Sequence, residues 1–188
     1  MRYDHDIHHR RSIRLKEYDY SQAGAYFVTI CAKNQKPIFG NILSDKMELS
    51  DIGKIINRFW IEIPSHFSNV HLDEYIIMPN YLHGIIMTDI NCRGGVTPPQ
   101  IEGRETLPLQ QKRTLGQVIG YFKYRSTKYI NEIHRLPGRA IWQRNYYEHV
   151  IRNEDDLKQV REYILYNPLK WEMDEENPEN IRVCVHTN

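Results

Sequence analysis

The chain has 188 residues, of which 40% are hydrophobic and 26% charged, with a formal net charge of +1. That length supports one domain with its own core, and that composition is ordinary for a globular protein. No apolar run approaches the roughly 20 residues that cross a bilayer, and residues 1–16 are polar and rich in His and Arg with no stretch of secretory length, so a cytoplasmic protein with no membrane partner is expected.

Residues 1–20 read as an N-terminal extension, 21–172 as the domain and 173–188 as a C-terminal tail. The domain opens on residues 25–33 (AYFVTICAK), β-branched and aromatic, which predict a buried strand. Residues 38–49 predict a short hairpin with Gly40-Asn41 or Ser44-Asp45 at its turn. Ser50 is placed to cap a helix running to Phe67, with Ile52, Ile55, Ile56, Phe59, Trp60 and Ile63 on its apolar stripe; Pro64 predicts a bend or stop near its end. Residues 74–89 (EYIIMPNYLHGIIMTD) predict two strands broken at Pro79-Asn80. Residues 91–113, punctuated by Gly94-Gly95, Pro98-Pro99, Gly103 and Pro108, predict a loop insertion.

Helical spacing returns over 114–133, with Leu115, Val118, Ile119, Phe122, Ile130 and Ile133 on one stripe; Lys123, Arg125 and Lys128 fall outside it and are expected to face solvent or a ligand. Residues 140–152 (AIWQRNYYEHVIR) predict a strand or extended loop, and Asn153 caps a further helix that opens on Glu154-Asp155-Asp156, buries Leu157, Val160 and Ile164, and stops at Pro168. Beyond it the tail is acidic, with an edge strand expected over 181–185. Strands mixed with a few helices in this order predict an α+β fold: an antiparallel sheet of the ferredoxin-like, split βαβ kind with helices on one face.

Cys31, Cys92 and Cys184 are odd in number, widely spaced and form no CxxC pair, so neither a zinc knuckle nor a disulfide framework is indicated. Charge is unevenly distributed. From residue 112 to 152 there are nine Lys or Arg and only two acids, Glu132 and Glu148, whereas 153–180 holds nine acids and three bases. A basic segment of this kind suits a nucleic-acid surface in a protein that is neutral as a whole.

Three groups of residues could carry chemistry. Tyr163 and Asn167 stand four apart on a predicted helix and so share a face. A phenol can attack phosphorus and hold the product covalently, though its ordinary pKa near ~10 calls for a cation or a base nearby; an amide oxygen one turn away could help hold a divalent cation. The same two residues would equally serve as a half-buried ring and a helix end. In the Tyr81-Leu82-His83 strand, Tyr81 and His83 point to one side and Leu82 to the core, which offers an imidazole but no second nitrogen ligand. The segment Trp142-Gln143-Arg144-Asn145-Tyr146-Tyr147-Glu148-His149 interleaves aromatic and basic side chains, which suits either a stacking surface for single strands or an aromatic patch of core with polar edges. It also offers Tyr146 and Tyr147 as rival nucleophiles.

Taken together, MPNYLHGIIM at 78–87, IWQRNYYEHVIRN at 141–153 and EYILYNPLKW at 162–171 resemble the HUH-type tyrosine transposases, in particular the REP-associated tyrosine transposases. The resemblance runs from about residue 24 to 171 and implies a His-hydrophobic-His strand at the centre of an antiparallel sheet, facing a helix that bears the nucleophile. Tyr163 matches the nucleophile, Asn167 a metal ligand and His83 the second histidine. The first histidine is replaced by Tyr81, with Glu148 or His149 as possible substitute ligands. The implied chemistry is cleavage and rejoining of single-stranded DNA hairpins, of the REP-like palindrome kind, through a 5′-phosphotyrosine and a divalent Mg²⁺ or Mn²⁺. The implied DNA contacts are Lys123, Arg125, Lys128, Trp142, Arg144, Tyr146 and Arg152, in a monomer or homodimer. The departure at Tyr81 implies an alternative, a catalytically impaired hairpin-binding protein on the same fold.

Overall fold

The computed structural model describes residues 23–89 and 114–174, together with 177, 178 and 180. The expected N-terminal extension, the 91–113 insertion and the 181–185 strand lie outside the described residues.

The sheet is built on β1 (Gly24–Cys31), which pairs antiparallel on one side with β5 (Tyr81–Thr88) and on the other with β6 (Tyr147–Ile151); β4 (Val70–Ile77) lies outside β5. The order β4-β5-β1-β6 leaves β1 and β4 parallel with β5 between them, and β5 and β6 parallel with β1 between them. These are two interleaved split βαβ units, the ferredoxin-like topology expected of an α+β chain. The Pro79-Asn80 break falls between β4 and β5, but β4 starts at Val70, four residues earlier than its apolar run suggests, and slips register between Leu72 and Tyr75. In residues 140–152 only Tyr147–Ile151 is a strand; Trp142 makes an isolated bridge to Ala32.

The small hairpin is β2 (Gly40–Leu43) and β3 (Lys46–Leu49), and of the two candidate turns the chain uses Ser44-Asp45. Both of these residues have positive φ, 49° and 60°, the two-residue geometry whose twist matches paired strands. Ser50 caps α1 (Asp51–Ile61) by accepting from the Gly53 N–H at 3.1 Å. The expected bend comes before Pro64: α1 ends at Ile61, and a separate turn α2 (Ile63–His66) starts with the proline in its first turn, where its missing N–H leaves no helical bond unmade. Thr114 and Gln117 form a capping box at the start of α3 (Leu115–Ile133). Asn153 accepts from the Asp156 N–H to start α4 (Glu154–Leu165).

α1 and α3 cover one face of the sheet. Tyr26, Val28, Ile30, Leu82 and Ile86 project from β1 and β5 into a core that also holds Trp60, Phe122 and Trp142. Trp60 lies so close to β5 that a Cβ on Gly84 would stand 2.4 Å from its ring. Ile133, expected on the buried stripe, is 53% exposed at the last position of α3.

Not all helices sit on that face. α4 packs on the opposite one, its Leu157, Val160 and Ile164 against Phe27, Ile85, Met87 and Ile151. The physical reason lies in β5, which is buried at six consecutive positions from Tyr81 to Ile86: a strand apolar on both faces needs cover on both. Among the described residues no helix is long and apolar enough to cross a membrane.

Candidate active site

Strand alternation sends Leu82 into the α1/α3 core and turns Tyr81 and His83 to the opposite face, the one α4 crosses. His83 stands opposite Thr29 on β1, which stands opposite Tyr147 on β6. The Thr29 hydroxyl lies 2.9 Å from His83 Nδ1. His83 is buried, and burial alone pulls its imidazole down to about 3, so it is neutral at physiological pH. A neutral ring carries one proton; with that proton on Nδ1 toward Thr29, Nε2 presents its lone pair to the cleft.

Tyr163, on the third turn of α4, comes down onto this nitrogen: its hydroxyl is 3.4 Å from His83 Nε2. Its ring stands edge-on to Phe27, with centroids 5.9 Å apart, and 5.3 Å from the His83 ring. The residue remains 44% exposed and lines the cleft. α4 ends at Leu165, two residues before Asn167, but Asn167 keeps helical dihedrals (φ −59°, ψ −42°) and so stays beneath Tyr163 at the start of a 3-10 turn, Pro168–Met173.

Tyr81 is buried at the floor. Its hydroxyl lies 2.8 Å from Asn167 Oδ1 and 2.5 Å from Asp174 Oδ2. Burial, reinforced by the Asp174 carboxylate, raises its pKa far above the ordinary tyrosine value, so the phenol keeps its proton. The one O–H is shared between two acceptors, and the charged carboxylate is the stronger claimant. Around these groups runs a cleft of about 680 Å³ whose lining includes His83, Tyr163, Asn167, Tyr147, Lys170 and Asp174.

A divalent cation is what the sequence resemblance implies here. The neutral imidazole of His83 and the amide of Asn167 are the nitrogen and hard oxygen donors that Mg²⁺ or Mn²⁺ accepts, and both line the cleft. Tyr81 does not fit, because a protonated phenol is a poor ligand. Among the described residues no three His, Cys, Asp or Glu side chains converge, so a cation here would depend on the Asn167 amide.

The two proposed substitute ligands lie elsewhere. Glu148 stands opposite Val28, whose side chain belongs to the α1/α3 core, so the Glu148 side chain projects away from the cleft. His149 does face α4, but its Nε2 is 3.0 Å from both carboxylate oxygens of Asp156, and β1 lies between it and His83, so two strand spacings and a two-residue register step separate them, about 12 Å at ordinary strand geometry. Trp142 is buried, and its indole N–H donates to Ser126 Oγ at 3.0 Å; no base can stack on it. Lys123 does not face a ligand either. Its ammonium donates to the carbonyls of Gln143, Arg144 and Asn145 at 2.5, 3.1 and 3.3 Å, and burial lowers it to about 8.

Arg125 and Lys128 are on α3, across the sheet from the cleft: Arg125 lies over the Phe59 and Tyr121 rings and Lys128 pairs with Glu132 at 3.9 Å. Arg144 is exposed between two cleft-lining residues, Gln143 and Asn145; Tyr146 lines the cleft and Arg152 is exposed just past β6. Tyr147 lines the cleft beside Tyr146 and is 47% exposed. Sequence reasoning missed Thr29, Lys170 and Asp174. The alternation of 25–33 places Thr29 on this face, but nothing local marks Asp174 within its acidic run.

No protein-family model matches the chain. Over 175 residues, 93% of this chain and 96% of the relative, it is 41% identical to an uncharacterized protein of Haemophilus influenzae. The chain belongs to the same family as that protein. Among solved structures it is similar to a REP-associated tyrosine transposase bound to a REP hairpin, with a TM-score of 0.49, 19% identity, and cover of 83% of this chain and 74% of that one. It is also similar to a candidate transposase from Deinococcus radiodurans, with a TM-score of 0.43, 13% identity, and cover of 81% and 95%. Both TM-scores fall below 0.5, so the topology rests on this chain's own strand order and register.

Proposed function

We propose that the chain binds single-stranded DNA folded as a hairpin and cleaves and rejoins it through a 5′-phosphotyrosine at Tyr163. The observation that carries this reading is the 3.4 Å approach of the Tyr163 hydroxyl to His83 Nε2 at the wall of an open cleft. A half-exposed phenol beside a buried imidazole that stays neutral and keeps its lone pair for a cation is a nucleophile placed next to a metal ligand.

In the step proposed, Tyr163 Oη attacks the scissile phosphorus. A Tyr163 O–P bond forms and the P–O3′ bond breaks, and the departing oxygen takes a proton from solvent to become a free 3′-hydroxyl. The phenolic proton passes to solvent, because burial holds the His83 imidazole at about 3 and makes it too weak a base to take it. Attack by a 3′-hydroxyl on the phosphotyrosine reverses the sequence and joins strands, with no nucleotide cofactor, because the ester bond is conserved. His83 and Asn167 would hold Mg²⁺ or Mn²⁺, which supplies positive charge to the phosphate oxygens. Tyr147 and Tyr146 offer rings to unpaired bases, and Lys170, Arg144 and Arg152 offer charge to the backbone.

Incubation with a hairpin oligonucleotide carrying a single-stranded flank and Mn²⁺, followed by a denaturing gel, tests the reading. A shifted covalent species is expected from wild type and none from Tyr163→Phe. Hairpin binding with no adduct at any Mn²⁺ concentration would sink the enzymatic part.

One observation favours a second reading, a hairpin-binding protein that does not cut: the Tyr81 hydroxyl lies against the oxygen of Asn167 that a cation would use. The same gel separates the two.

A further inference from the structure

Replacing the first histidine of a His-x-His strand by Tyr81 removes a ligand, but it also brings a new group to the site. The Tyr81 phenol is longer than an imidazole and ends 2.5 Å from Asp174 Oδ2. Asp174 lines the same cleft as His83, Tyr163 and Asn167. We propose that Asp174 is the third ligand of a divalent-cation site completed by His83 and Asn167, and that Tyr81 is a positioning residue that holds the Asp174 carboxylate through its O–H. This rests on the reading of Tyr163 as a cation-assisted nucleophile and deepens it.

Four observations converge. Chemically, His83 and Asn167 are both neutral donors, and a hard cation binds a site with an anionic oxygen far more readily than one without. A carboxylate has about four acceptor positions and can hold a cation alongside hydrogen-bond partners. In position, the Asp174 carboxylate and the Asn167 amide both reach the one phenol oxygen, at 2.5 and 2.8 Å, and so are neighbours of each other around that atom.

In rigidity, Asp174 closes the 3-10 turn Pro168–Met173 and its main chain is tied on both sides. Its N–H donates to the Trp171 carbonyl at 3.1 Å, and its own carbonyl accepts from the Asn177 N–H at 3.1 Å and from Asn180 Nδ2 at 2.9 Å. The Trp171 ring lies 6.0 Å from Tyr81. A carboxylate fixed by main-chain bonds and oriented by a buried donor is how proteins prepare an anionic ligand. Finally, of the groups proposed from sequence as substitutes, Glu148 is turned to the other face and His149 is tied to Asp156, whereas Asp174 lines the cleft with His83 and Asn167.

The test is binding of Mn²⁺ alone, by calorimetry and by water-proton relaxation, so that it does not depend on catalysis. Wild type is expected to bind one Mn²⁺. Asp174→Asn, nearly the same shape, should weaken it about 10-fold or more, and Asp174→Glu should restore part of that loss. Tyr81→Phe removes only the orienting O–H and should weaken Mn²⁺ less than Asp174→Asn does. Equal affinity in wild type and Asp174→Asn, or no binding by wild type at millimolar Mn²⁺, overturns the proposal; circular dichroism on each variant excludes unfolding as the cause of a loss. The parent reading fails separately: covalent adduct formed by wild type in EDTA would keep Tyr163 as nucleophile and remove the cation site, while Mn²⁺ bound through Asp174 with no adduct would do the reverse.

Discussion

The two faces of the sheet are built to different ends. On the α1/α3 face, Tyr26, Val28, Ile30, Trp60, Phe122 and Trp142 form a deep apolar core in which Trp60 fits only because Gly84 has no side chain. On the α4 face the fully apolar contact is thin, four buried residues (Phe27, Ile85, Leu157 and Ile164), and beyond it the same strands carry a polar row of Thr29, His83 and Tyr81 under Tyr163 and Asn167. One face holds the fold together. The other spends its burial on groups that water would otherwise disorder, and a neutral imidazole and a protonated phenol are the result.

If the division is real, substitutions on the two faces should move different measurements. The largest effect belongs to Tyr163→Phe: loss of covalent adduct by about 10³-fold or more on the gel, with the urea midpoint unchanged, since a half-exposed hydroxyl at 3.4 Å contributes little to folding. A fall in stability matching the fall in activity would make Tyr163 a structural residue. Next is Trp60→Ala on the opposite face. Removing a ring that is 0% exposed should cost about 3–5 kcal/mol in urea denaturation, while the protein that remains folded binds hairpin DNA as before; altered affinity in that folded fraction would break the comparison.

Tyr147→Ala and Trp142→Phe sharpen it within a single segment. Exposed Tyr147 is expected to contribute about 1–3 kcal/mol to binding an unpaired base, so fluorescence anisotropy with a hairpin oligonucleotide should show weaker binding. Buried Trp142, bonded to Ser126, should change stability and leave affinity alone. The opposite pattern would return the stacking role to Trp142.

The smallest effect concerns Lys123, whose ammonium ties down three carbonyls of the loop that walls the cleft. Its folded pKa of about 8 lies below the ordinary 10.5. Between those values the unfolded chain holds the extra proton, so stability should rise with pH through that window relative to Lys123→Met, and below pH 8 the two should run parallel. The slope is at most about 1.4 kcal/mol per pH unit, and less after solvent screening. Denaturation curves from pH 7 to 10.5 that run parallel throughout would refute the burial of that charge.

Much of the fold was legible in the chain because it is written in short-range periodicity. Ser50 and Asn153 cap helices where the residues alone place caps, and the Ser44-Asp45 turn was one of two candidates. The pairing of Tyr163 with Asn167, and of Tyr81 with His83 on one side of a strand, follows from the helical and extended repeats themselves. Those repeats are local, set by backbone sterics within a few residues, so a sequence states them without help.

What only the tertiary structure decided is what each side chain meets across the chain. The sequence does not say that α4 crosses the face opposite α1 and α3, that Trp142 turns inward to Ser126, that Lys123 binds its own loop, or that Asp174 meets Tyr81, 93 residues away. An aromatic–basic stretch looks the same whether its ring is core or platform, and an acid in an acidic run looks like its neighbours. Such choices are made by which faces of the sheet need apolar cover, and that is a property of the assembled layers.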